Sequence, residues 1–163
     1  MYQGHDFRWY DQVLEHLLTA NIPAFEQDLQ TIMEQTVSVH DTSQNPEAFY
    51  HGLMIGMTVS LYGNKNYEIK SNREAGYGRY DYLVLCHDPL RPSLVIELKR
   101  VAATAAEKAD IELLMRKLEA TAEEALQQMQ QQQYVAEAKQ RGKSRIVKLA
   151  IAFCGKRFKM LTS

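Results

Sequence analysis

Hydrophobic residues recur every three or four positions in the first part of the chain, which is the spacing of one helix face. Two such runs are separated by Asn21, a helix-capping residue, and Pro23, which suits a first helical turn. The first run, between Asp6 and Ala20, has the apolar positions Phe7, Tyr10, Val13, Leu14, Leu17 and Leu18. The second run has Phe25, Leu29, Ile32 and Met33. We therefore predict a helical hairpin over residues 1–40.

A third helix is predicted over residues 47–63, EAFYHGLMIGMTVSLYG, where nearly every residue is apolar. Such a helix should be buried on most sides. Pro46 and Glu47 mark its start, because proline is tolerated in a first turn and a carboxylate favours a helix N-terminus. Gly52 and Gly56, four positions apart, should leave a smooth patch that another element can approach closely.

Strand patterns follow, rich in aromatic and β-branched residues: NYEIKS, RYDYLVLCH, SLVIELKR, RIVKLAIAFC and RFKML. The short turn DPLRP predicts that the second and third strands form an antiparallel hairpin. A single long helix is predicted between the third and fourth strands, from Thr104 to about Gln140. The order predicts an α/β fold, a mixed sheet flanked by helices in two or three layers. We expect residues 41–163 to form this domain, in one compact unit with the hairpin.

Composition and net charge narrow the possible classes of protein only a little. The chain has 163 residues, a length that suits one domain, and its formal net charge of −1 gives no global basic field, although a local basic cleft is compatible with it. Cys86 and Cys154 lack metal-ligand spacing, which favours reduced thiols in an intracellular protein. The N-terminus lacks a signal-peptide pattern, and no run of about 18 apolar residues predicts a membrane span. We expect a cytoplasmic protein.

Three charged residues interrupt the apolar strands. Glu97 and Lys99 lie two apart and should share one sheet face with Val95, while Leu94, Ile96 and Leu98 point to the other face. The hairpin should bring Asp81 to the same end of the sheet. Two carboxylates suit Mg²⁺, and a neighbouring lysine can orient or deprotonate a water that attacks a phosphodiester. The alternatives are solvated charges at the end of an edge strand, or an ion pair of Asp81 with Lys99 or Arg79.

The ordered set GRYD, ELK, ALQQ…Y and AIAFCGK resembles the PD-(D/E)XK nuclease superfamily. Within it, the set is similar to the branch found C-terminal to AAA-ATPase-like modules in bacterial proteins, from about Asn21 to the end of the chain. The resemblance implies a restriction-endonuclease-like fold and Mg²⁺ or Mn²⁺ as cofactor. Asp81 and Glu97 would bind the metal, and Lys99 would serve the attacking nucleophile.

The resemblance also implies further site residues, each with a structural alternative. Glu47 would complete the catalytic set, or it is a favourable charge at a helix N-terminus; Glu74 is a second candidate, or a solvated loop residue. Substrate binding would involve Arg79, Gln128 (or Gln130, since the glutamine run leaves the register open), Tyr134 and His51. The alternatives are an ion pair with Asp81 for Arg79, packing for Tyr134 and a hydrogen-bonded core position for His51.

Local basic charge near the C-terminus could follow a nucleic-acid backbone or form a solvated face: Lys143, Arg145, Lys148, Lys156, Arg157 and Lys159. The fragment RGKS has Glu137 where a phosphate-binding loop needs glycine, so we expect a free-standing protein or a fragment whose ATPase module is missing.

The function predicted first is Mg²⁺-dependent hydrolysis of nucleic acid, DNA rather than RNA. The alternative is a catalytically inactive nuclease fold that acts in protein interaction or regulates an ATPase partner. A nucleotide-binding accessory domain is a third possibility, without a glycine-rich loop to support it. No membrane partner is expected, and the oligomeric state stays open.

Overall fold

The computed structural model describes residues 6–35, 46–71, 81–131 and 145–163. The helices are α1 (Asp6–Leu18), α2 (Ile22–Gln35), α3 (Pro46–Thr58), α4 (Ala105–Ala109) and α5 (Ile111–Gln131), and a 3₁₀ turn, Val59–Leu61, extends α3. The strands are β1 (Tyr67–Ser71), β2 (Tyr82–Cys86), β3 (Ser93–Arg100), β4 (Ile146–Cys154) and β5 (Arg157–Thr162).

The five strands form one mixed sheet in the order β1-β2-β3-β4-β5. Neighbouring pairs are antiparallel except β3 and β4, which run parallel from Ser93 beside Ile146 to Arg100 beside Phe153. The parallel pair needs a crossover, and α4 and α5 lie within it. The mixed sheet, its flanking helices and the N-terminal pair of helices confirm the predicted restriction-endonuclease-like α/β class.

Alternating side chains on the strands build two cores, so the molecule has three layers. Val84, Leu94 and Ile96 face α1, α2 and α3, in one core with Phe25 and Tyr50. The other sheet face packs against α5, and its core includes Leu83, Leu85, Val95, Ala150 and Ala152 with Leu114, Leu118, Ala122 and Met129. The N-terminal helices therefore share a core with the sheet.

Two predictions about helices were wrong. The helix predicted from Thr104 is two helices, because Thr104 caps α4 in a reciprocal box with Glu107 and Asp110 then adopts an extended conformation. Asp110 caps α5, its Oδ1 accepting from Leu113 N at 3.1 Å. The third helix is buried on one side rather than most, since Ile55 and Val59 are about half exposed. The predicted end of the long helix near residue 140 lies outside the described residues.

Ion pairs join the N-terminal helices to each other and to the sheet. His16 Nδ1 lies 2.6 Å from Asp28 Oδ2, between α1 and α2. Arg91, in the turn between β2 and β3, donates to both oxygens of Glu15 on α1, at 3.0 and 2.7 Å.

None of the described helices combines the length and the apolar character that a membrane span requires.

Candidate active site

The site lies where β3 extends beyond the start of β2. Register pairing of these strands begins at Tyr82 and Ile96, whereas β3 continues to Arg100 along β4. Asp81 stands at this boundary, and its backbone N–H donates to the carbonyl of Ile96 at 3.1 Å. Its Oδ2 accepts from Leu98 N at 2.6 Å. The carboxylate therefore takes the place of a strand carbonyl, which fixes Asp81 against β3.

Glu97 and Lys99 follow the alternation predicted from the sequence. Leu94, Ile96 and Leu98 belong to the core under α1–α3, while Val95 belongs to the core under α5. Glu97 pairs in register with Ala150 and Lys99 with Ala152, so small side chains of β4 flank the charged pair. Lys99 Nζ lies 2.5 Å from Glu97 Oε1; the Glu97 side chain is 11% exposed and that of Lys99 38%.

His51 approaches the same carboxylate from α3. The imidazole is buried, and its Nε2 lies 3.8 Å from Asp81 Oδ1. Its ring tilts against Tyr82, with centroids 6.2 Å apart. The structure thus agrees with a core position for His51, but a core position directly beside Asp81. Asp81 thus contacts β3 through Leu98 and α3 through His51.

The charges of Asp81 and Lys99 both affect the pKa of Glu97, so the three residues form one electrostatic site. Burial raises the pKa of Glu97, the hydrogen bond and charge of Lys99 lower it, and the negative charge of Asp81 raises it again. The fold therefore holds Glu97 where its ionised form is disfavoured, and the single ammonium of Lys99 compensates this in part. A site of this kind gains stability when a further cation approaches.

The donor atoms suit a hard divalent cation. Leu98 N donates to Asp81 Oδ2, and Lys99 Nζ lies against Glu97 Oε1. Among the described residues, the other two oxygens, Glu97 Oε2 and Asp81 Oδ1 (3.8 Å from His51 Nε2), accept no hydrogen bond. Carboxylate oxygens are the ligands that Mg²⁺ prefers, and Mg²⁺ commonly keeps several waters beside one or two carboxylates. No group of three or more His, Cys, Asp or Glu ligands occurs in the described part of the chain. The residues present fit a cation held by two protein carboxylates and water.

The other candidates are placed differently. Glu47 lies on the first turn of α3, one helical turn before His51, but its side chain is outside the described set. Arg79, Glu74 and Tyr134 lie outside the described residues. Gln128 is exposed in the C-terminal part of α5 and is not a member of the Asp81–Glu97–Lys99 cluster. The side chain of the alternative glutamine, residue 130, is not described.

Sequence reasoning missed the part played by Tyr50. Its buried ring stacks on Phe153 at 4.0 Å between centroids, and its hydroxyl donates to the carbonyl of Gly155 at 3.0 Å. Burial raises the pKa of this phenol, so it stays a protonated donor. The signal in the sequence was weak: an aromatic residue next to His51 in an apolar helix usually indicates packing alone.

Comparison with known proteins supplies one match. A family model described as the PD-(D/E)XK nuclease superfamily matches residues 45–162. The matched range starts one residue before α3 and ends at the last residue of β5, and it contains Asp81, Glu97, Lys99 and His51. No curated protein and no solved structure matches the chain.

Proposed function

The chain belongs to the PD-(D/E)XK nuclease superfamily, and from this premise we propose that it hydrolyses phosphodiester bonds in nucleic acid, with DNA as the favoured substrate. Nucleases of this superfamily typically use divalent metals. The observation that carries the proposal is the juxtaposition of Asp81, Glu97 and Lys99 at the end of β3, with carboxylate oxygens left over for a cation. Asp81 and Glu97 are the proposed ligands of Mg²⁺ or Mn²⁺.

Each residue of the cluster has a distinct task in this proposal. A divalent cation at the two carboxylates would supply Lewis-acid stabilisation of the charge that develops on the phosphate. Asp81 is preorganised by Leu98 N and Ile96 O, so its carboxylate needs little rearrangement on binding. Lys99 is partly exposed beside Glu97, where its ammonium can orient the attacking water and donate to a phosphate oxygen.

The surrounding residues are proposed in supporting roles. Glu47 completes the acidic set from the first turn of α3. Arg79, Gln128 and Tyr134 bind the substrate. His51 is 2% exposed, which supports a role in orienting Asp81 rather than contact with the substrate itself.

The direct test is Asp81→Asn, which retains an oxygen that can accept from Leu98 N but removes the negative charge. We expect Mg²⁺ and Mn²⁺ binding, measured by calorimetry, to be lost, and cleavage of single- and double-stranded DNA and RNA to fall by about 10²-fold or more. The matched control is Asp88→Asn, in the turn at the opposite end of the sheet, where Oδ1 accepts from Leu90 N. Equal cleavage by wild type and Asp81→Asn would contradict the proposal.

One observation favours a second candidate function, protein interaction without catalysis. Ile55 on α3, Val59 in the turn that extends it and Tyr62 directly after that turn are 49%, 57% and 65% exposed. Gly52 and Gly56 on the same helix have open space around them. Such a surface suits contact with a partner protein, an ATPase being the expected kind. A wild-type chain that neither binds the metals nor cleaves any of the four substrates would favour this candidate.

A further inference from the structure

We propose that Lys156 in the two-residue turn between β4 and β5, together with Arg157 at the start of β5, binds a backbone phosphate of the nucleic acid and holds the strand beside the Asp81–Glu97–Lys99 site. The inference rests on the proposed function and names a second contact with the same substrate. It assigns Lys156 and Arg157 as phosphate-binding residues and Tyr50 as the residue that positions them.

Strand register places the turn at the same end of the sheet as Lys99. Lys99 pairs with Ala152, and Ala152 pairs with Lys159, so the three residues form one row across β3, β4 and β5. Neighbouring strands lie about 4.8 Å apart, which puts the two lysine Cα atoms about 10 Å from each other. Arg157 opposes Cys154, two residues further toward the turn. Because residues two apart share a face, Arg157 faces the same side of the sheet as Lys159.

The cations of the turn are available to a ligand. Arg157 is exposed and Lys156 half-buried, and within the described ranges neither side chain forms an ion pair or a hydrogen bond. Lys159 differs, because its Nζ lies 3.9 Å from Glu119 on α5. A chain with net charge −1 thus has a local basic patch next to two carboxylates, and cations in such a patch bind phosphates by releasing counterions.

The turn is anchored rather than loose. It has two residues between the paired Cys154 and Arg157, and Gly155 has a φ of +58°, which only glycine adopts readily. Tyr50 stacks on Phe153 and donates to the Gly155 carbonyl. The next residue of α3, His51, lies against Asp81. One turn of α3 therefore contacts both the basic turn and Asp81, the proposed metal ligand. These contacts set the spacing between the phosphate at the basic turn and the phosphate at the metal site.

The test compares the double variant Lys156→Ala/Arg157→Ala with the control Lys65→Ala/Arg91→Ala. The control removes one lysine and one arginine at the opposite end of the sheet, so the change in net charge is the same. Affinity for single- and double-stranded DNA is measured in EDTA over a salt series. For the loss of one phosphate contact, the slope of log affinity against log salt should become shallower by about 0.9 for duplex and about 0.7 for single strands. The control should leave the slope unchanged.

Three results separate this inference from the proposed function. If wild type binds and cleaves nucleic acid but the double variant keeps the wild-type salt slope, the inference is overturned and the proposed function stands. A slope change equal to that of the control would also overturn it, since the effect would then be one of net charge. Absence of nucleic-acid binding by wild type would overturn both.

The positioning role of Tyr50 is tested with Tyr50→Phe, which keeps the ring on Phe153 and removes the hydroxyl. We expect KM for the cleaved substrate to rise about threefold to tenfold with kcat unchanged, because the loss concerns substrate binding. A fall in thermal stability with unchanged KM would assign Tyr50 a structural role only.

Discussion

The two ends of β3 use charged and polar residues in opposite ways. At its N-terminal end, Arg91 donates to both oxygens of Glu15, and Ser93 Oγ accepts from Cys86 N at 3.0 Å. These groups join elements of the fold to one another. At its C-terminal end, Glu97 and Asp81 each use one oxygen within the described structure and retain another. The groups at the N-terminal end thus stabilise the fold, whereas Asp81 and Glu97 at the C-terminal end are the proposed ligands of a cation.

The pKa values of two glutamates show the same contrast. The hydrogen bond from Arg91 lowers the pKa of Glu15, so the fold favours its ionised form. Burial raises the pKa of Glu97, so the fold disfavours its ionised form despite Lys99. Retaining an unfavourable carboxylate costs stability, and the proposed metal offsets that cost when it binds.

The largest expected effect concerns Lys99→Met, which retains the aliphatic stem and removes the ammonium. We expect kcat for cleavage to fall by about 10²- to 10⁴-fold, because the group proposed to orient water and contact the phosphate is lost. The control is Lys148→Met, on the same sheet face of β4 but at the opposite end, beside Val95. Similar activity losses in both variants would remove the distinction between the two ends.

An intermediate effect is expected for Ser93→Ala at the structural end. Ser93 is buried, and its loss leaves the Cys86 N–H without its acceptor, so the free energy of unfolding should decrease by about 1–3 kcal/mol. Urea unfolding measures the change, and cleavage below the transition should be unchanged. Ser71→Ala, at an exposed strand end, is the control. A loss of cleavage in folded Ser93→Ala would show that this end also serves the site.

The smallest effect is expected for Glu15→Gln. The pair with Arg91 is partly exposed, so its loss should reduce the free energy of unfolding by about 0.2–1 kcal/mol at neutral pH. A carboxyl whose pKa is lowered by folding contributes stability above its unfolded pKa and loses it as pH falls through the lowered value. The difference from wild type should therefore disappear in acid. Glu34→Gln, where the carboxylate accepts from Gln30 rather than from a cation, is the control and should show a smaller effect at neutral pH.

Local patterns in the sequence were sufficient to predict the strands and to place Glu97 and Lys99 of the site together. SLVIELKR is β3 residue for residue, because branched and apolar residues in strict succession suit a strand buried on both faces. The alternation of that strand alone places Glu97 and Lys99 on one face. Helix caps were harder: Thr104 and Asp110 divide the predicted long helix, since side-chain hydrogen bonds to the backbone outweighed the helix propensity of the neighbouring alanines and glutamates.

Contacts between distant segments depend on packing that no local pattern encodes. The sequence placed Asp81 near Glu97, but the bond from Leu98 N that orients it, and the approach of His51, require α3 to pack against this end of the sheet. The bond from Tyr50 to Gly155 joins residues 105 positions apart. The half-exposed face of α3 also depends on packing. Composition shows that the helix is apolar, but only the neighbouring elements determine which of its sides is covered.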